Sequence, residues 1–114
     1  MTTENNKIIA EFMGVSKSKI DANGQVLNFE NSKYNTYNSD WNWLMEVVEK
    51  IEGLEFYPKN STCIGFDSFE IEINKNRCDI TRYGDFTHLL LQGQGKTRIE
   101  AVYNACIEFI KWYN

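Results

Sequence analysis

Gly93-Gln94-Gly95-Lys96-Thr97-Arg98 is the stretch of this chain whose residue types and spacing come nearest to binding chemistry. Glycines ahead of a helix let backbone N–H groups converge on one point, and the positive end of the helix favours an anion there. Lys96 and Arg98 add charge. Gly95, Lys96, Thr97 and Arg98 are therefore the candidate ligand-binding residues, for a small anionic, nucleotide-like ligand. A Walker-type loop needs glycine at position 90, where Leu90 stands, so the stretch is not a P-loop. The competing reading is a plain turn into a capped helix. Thr97 and Glu100 have capping-box spacing, which already satisfies end N–H groups, and Glu100 repels an anion.

The remaining reactive side chains lack partners in sequence. His88 is the sole histidine, with no nucleophile or second ligand near it. Cys63, Cys78 and Cys106 form no CxxC pair, and an odd count argues against a disulfide framework, so all three are expected as reduced thiols. Cys106 falls on a helical apolar stripe and reads as a small hydrophobe. Glu46, Glu49, Glu52 and Glu55 read as a solvated helix face rather than a cation site. No catalytic residue, metal site or cofactor is expected, and the chain is not read as an enzyme.

Aromatic side chains carry the other functional signal. Tyr34, Tyr37, Trp41 and Trp43 crowd an Asn-rich stretch. Residues two apart on a helix diverge, so Trp41 and Trp43 cannot share a face. Trp41 extends the stripe of Leu44, Val47, Val48 and Ile51, which turns Trp43 outward. Trp112 likewise lies off the face set by Phe109 and Tyr113. A large apolar ring off the stripe wants a cover, so Trp43, Trp112, Tyr34 and Tyr37 are the candidate interface residues, with self-association or a protein partner as the cover.

The elements that position these residues follow from periodicity. Residues 6–13 predict a short helix stopped by Gly14, after a frayed start at residues 1–5. Residues 15–38 are polar and loop-like, with a turn at Asn23-Gly24 and a short extended piece at Val26, Leu27 and Phe29. Residues 39–52 predict a helix with Ser39 as N-cap. Phe69, Ile71 and Ile73 alternate with Glu70 and Glu72, then Cys78 and Ile80 with Asp79 and Thr81: a hairpin with one apolar and one charged face. Thr62–Phe66 and Phe86–Leu91 are candidate flanking strands. Residues 97–113 keep helical spacing from Ile99 to Tyr113. The expected fold is α+β: a short antiparallel sheet of three to four strands with three helices, resembling an αβα sandwich, in one domain spanning residues 1–114.

Composition bounds the rest. The chain has 114 residues and 42% hydrophobic side chains, enough for a core without disulfides. A net charge of −4 and no basic run argue against nucleic acid as partner. Neither a signal peptide nor a membrane-length apolar run is read, so the cytoplasm is the expected location.

Three segments also carry a resemblance. Ile-Ala-Glu-Phe-Met-Gly at residues 9–14, Tyr-Asn-Ser-Asp-Trp-Asn-Trp-Leu-Met-Glu-Val-Val-Glu-Lys-Ile-Glu at 37–52 and Thr-Arg-Ile-Glu-Ala-Val-Tyr-Asn-Ala-Cys-Ile-Glu-Phe-Ile-Lys-Trp-Tyr-Asn at 97–114 resemble the phage ABA sandwich proteins, small proteins of Bacteroidetes genomes and their phages. The resemblance covers the three helices and implies an α/β/α fold in a phage or prophage setting. It implies no activity and no catalytic residue. The charged face of the hairpin departs from it, because a solvated face suits two layers better than three. The expectation for function is a non-enzymatic, phage-derived interaction module. The alternative is an oligomer that sequesters a small anionic ligand.

Overall fold

In the computed structural model, residues 2–28, 33–35, 37–38, 40–57, 65–84 and 87–114 are described. Apolar spacing builds three helices, α1 (Thr2–Phe12), α2 (Trp41–Glu52) and α3 (Arg98–Tyr113). The strands are β1 (Val26–Asn28), β2 (Lys33–Asn35), β3 (Ser68–Asn74), β4 (Arg77–Tyr83) and β5 (His88–Gln94). β1 and β2 form an antiparallel ribbon, and β3-β4-β5 an antiparallel sheet in that order. The fold is α+β, as the residue pattern predicts.

The helices pack together on one side of the three-stranded sheet. α3 contacts both β4 and β5, while α1 and α2 lean on α3, and α2 also reaches β3. Ile9, Leu44, Val47, Ile51, Ile80, Val102, Phe109 and Ile110 are wholly buried between them. The Ile99–Tyr113 stripe faces this core, and Ala101, Ala105 and Ile107 are buried as well because α3 has neighbours on more than one side. At Gly93 the sheet backbone comes too close to α3 for a side chain. A Cβ there would lie 2.4 Å from the Ala105 backbone nitrogen and 2.5 Å from the Ala101 carbonyl oxygen.

Some boundaries differ from the sequence reading for identifiable reasons. α1 begins at Thr2 rather than after a frayed stretch. Its polar first turns are held by Asn6, which is buried, accepts from the Tyr103 hydroxyl at 2.9 Å and donates to Asn38 at 3.1 Å. At its other end Gly14 turns the chain with φ 81°, and the Lys50 ammonium donates to the Phe12 carbonyl. The N-cap of α2 is Asp40, not Ser39: Asp40 is extended, and its carboxylate accepts from the Trp43 N–H at 3.2 Å. β5 runs on through Gly93-Gln94, three residues beyond the expected Leu91. The expected strand at 62–66 falls mostly outside the described residues, although Phe56 and Asp67 form a bridge beside the start of β3. Phe29, of the expected extended piece, also lies outside them.

Candidate functional site

The outer face of the sheet is built by strand alternation. Phe69, Ile71 and Ile73 of β3 and Cys78 and Ile80 of β4 point to the helices, so their neighbours point away. Register then places Glu70 against Thr81 and Leu89, Glu72 against Asp79 and Gln92, and Ser68 against Tyr83. A bulge opposite Ile80 and Thr81 brings Leu89 to this side, where it is 53% exposed. Phe56 packs on the core side against Phe69 and Trp112, which turns Tyr57 and Phe66 outward beyond β3. Their rings meet at 5.9 Å. The register sets Tyr57, Phe66, Tyr83 and Leu89 along a diagonal at one end of a face that no described helix covers, and all four are exposed.

Carboxylates share that face. The Tyr57 hydroxyl donates to Glu55 at 3.3 Å. Glu70, by hydrogen bonding and by its charge, raises the Tyr83 pKa above the usual tyrosine value. Glu70 and Glu72 are exposed. Asp79 accepts from the Gln92 amide at 2.8 Å and pairs with Arg77 at 3.5 Å. The surface is lined by exposed carboxylates. It offers ring faces beside fixed negative charge.

Trp112 is 38% exposed but already packed. Its ring lies 5.3 Å from Phe56 and 5.8 Å from Phe109, with the Arg82 guanidinium 5.5 Å above it. Arg82 is itself held by Asp67 at 2.6 Å. The two tryptophans of α2 exchange the roles read from sequence. Trp43 packs on Tyr37 at 5.2 Å and joins the core, whereas Trp41 is 38% exposed. Tyr37 is buried too, and burial pushes its hydroxyl up to about 12, with Glu46 contributing. Tyr37 is therefore an interior residue, and Trp43 is half-buried against it. Of Tyr34 only the backbone is described, in β2. The signal for the outer aromatic band was missed because Tyr57 and Phe66 flank a stretch without periodicity.

Of the four candidate ligand residues at the entry to α3, Gly95 and Thr97 line different hollows. Gly95 lines a cleft of about 530 Å³ with Asn74, Lys75, Asn76, Arg77 and Gln94. Thr97 lines a separate hollow with Asn38, Ile99, Glu100, Tyr103 and Asn104. Lys96 and Arg98 are exposed. The Gly95 N–H donates to the Asn76 carbonyl at 3.2 Å, and the Glu100 N–H to the Thr97 hydroxyl at 3.2 Å. Gly95 also stands against Glu100, with an added Cβ only 2.7 Å from its Cγ. The glycines thus serve close packing of strand and helix.

Cys78 and Cys106 are free thiols buried between β4 and α3; burial pushes Cys78 up to about 12, helped by Asp79 and Glu52, and raises Cys106 further. Both are inert as nucleophiles at neutral pH. Cys63 lies outside the described residues. Among the described residues no group of three or more His, Cys, Asp or Glu could hold a metal ion, and no helix is long and apolar enough to cross a membrane. No family model matches the chain, and neither a curated protein nor a solved structure does.

Proposed function

We propose that this chain is a non-enzymatic interaction module of phage or prophage origin that binds a partner through the open face of its sheet. The observation that carries this is the band of Tyr57, Phe66, Tyr83 and Leu89 on a face that none of the described helices covers. A polar open face is ordinary for an antiparallel sheet, but contiguous large apolar side chains on it are not. The phage setting rests on the likeness of the three helical segments to the phage ABA sandwich proteins. The test is a photo-crosslinking residue in place of Leu89, with one in place of Glu49 as control, in the cell that makes the protein. A discrete adduct from position 89 alone, lost when Phe66→Ser is added, is the expected result. Equal adducts from both positions, or none from position 89, refute it.

A second reading, sequestration of a small anionic ligand, is favoured by one feature: the cleft beside Gly95 is lined by Lys75, Arg77 and carboxamides and by no carboxylate. Calorimetric titration with inorganic pyrophosphate tests it. Saturable heat that disappears in Lys75→Ala/Arg77→Ala supports the cleft, and none rejects it.

A further inference from the structure

We infer that the open face receives a polypeptide segment of another protein that presents Lys and Arg side chains. This rests on the reading of that face as the interaction surface, and it names the chemistry of the occupant. The Tyr57 hydroxyl donates to the Glu55 carboxylate at 3.3 Å, and the strand register sets Tyr83 diagonally across from Glu70. Each exposed ring thus stands beside a negative charge. A cation is attracted by both parts at once, through the ring quadrupole and through a charge-assisted hydrogen bond. Phe66 widens the first of these sites, its ring 5.9 Å from that of Tyr57, and Glu72 stands two residues beyond Glu70 on the same side of β3. The described cation of this face, Arg77, lies at its far end and is paired with Asp79.

The alternative occupant is a second copy of the chain, and two features disfavour it. Stacking this face on its twin sets Glu70 and Glu72 near like charges in a chain whose net charge is already −4. The four half-exposed apolar side chains also offer only roughly 400 Å², about half of what one partner gives to a stable interface. That area suits a short segment whose charged side chains supply the remaining contacts.

The experiment is a titration of the uniformly ¹⁵N-labelled full chain with hexa-arginine, and separately with hexaglutamate, near physiological salt. Saturable shifts at Tyr57, Phe66, Glu70 and Tyr83 with hexa-arginine alone are expected. Glu70→Lys/Glu72→Lys should weaken binding at least tenfold, while Glu46→Lys/Glu49→Lys, an equal change of net charge on α2, leaves it within twofold. If the first variant fails to fold, Glu70→Gln/Glu72→Gln takes its place, and the wild-type shift map is decisive by itself. Equal weakening by both variants, or shifts centred on α2, overturns the basic partner. An adduct of twice the chain mass from position 89 shows a second copy instead, and also overturns it. Loss of peptide binding with a persisting heterologous crosslink at position 89 leaves the face an interface for a partner of other chemistry; loss of both removes the interface as well.

Discussion

Replacing Gly93 by alanine should damage this protein more than any exposed substitution in it. The added methyl would sit 2.4 Å from the Ala105 nitrogen, 2.5 Å from the Ala101 oxygen and 2.7 Å from the Ala105 Cα. Carbon needs roughly 3.4 Å or more from such atoms, so the strand and helix must part by about 1 Å. All three atoms are backbone, so no rotamer change relieves the clash, and trimming the Ala105 side chain cannot rescue it. Moving α3 loosens Val102, Cys106 and Phe109, each buried against the sheet side of the core. Overpacking of this kind costs about 1–3 kcal/mol, and the rigid obstacle places Gly93→Ala at or above ~3 kcal/mol. A domain of this size has about 6–17 kcal/mol in all, so the loss is a substantial share. Urea unfolding followed by tryptophan fluorescence should show the midpoint fall with the slope unchanged, and the melting temperature should drop by roughly 10–15 °C. A change below ~0.5 kcal/mol would mean that α3 does not lie as close to β5 as the structure has it.

Four further outcomes follow from buried side chains and caps. Tyr103→Phe removes the donor to Asn6 and leaves a buried amide oxygen unsatisfied, which should cost about 1–3 kcal/mol in urea titrations at pH 7. Tyr37 and Tyr103 are both raised by burial from 10.0 to about 12, so the unfolded chain ionises first. Their contribution is complete below about pH 10 and is lost between there and pH 12, at most ~2–3 kcal/mol each; a flat stability profile from pH 9 to 11.5 contradicts this. Asp40→Ala should cost about 1 kcal/mol through loss of the α2 N-cap, read by thermal melts, while Asp40→Asn recovers most of it. Cys78 and Cys106 should resist a thiol reagent in the native protein, and denatured, unreduced protein should yield three thiols by titration.

The fold was largely legible because its signals are periodic. The helical stripe from Ile99 to Tyr113 and the alternation through Phe69–Ile73 and Cys78–Ile80 each allow one orientation, and the structure adopts both. The start of α1 was not legible, because Asn6 is held by Asn38 and Tyr103, a contact ninety-seven residues away in the second case. Trp41 and Trp43 show the limit of a stripe argument. Spacing says that two residues diverge, but the buried one is decided by Tyr37, which packs on Trp43 from outside the helix. The glycines before α3 carried a real signal that admitted two causes. Gly93 and Gly95 stand where helix backbone and Glu100 come too close for a side chain, and sequence does not separate a close approach by a helix from one by a ligand.

The two faces of the sheet are specified by opposite means. On the inner face Gly93 removes a side chain so that α3 can seat directly on β5. On the outer face Glu70, Glu72 and Asp79 add charge at consecutive rows of the register. A third layer of helix laid over those rows would have to strip water from carboxylates, several kcal/mol for each left unpaired. A purely apolar helix is therefore a costly cover for this face. An element that carries Lys or Arg at the spacing of the rows avoids that cost, because each cation replaces the lost water with a charged partner, while the band at Tyr57, Phe66, Tyr83 and Leu89 supplies the apolar contact. On the proposed reading, the carboxylates that disfavour an apolar third layer are also the ones that would select a basic partner.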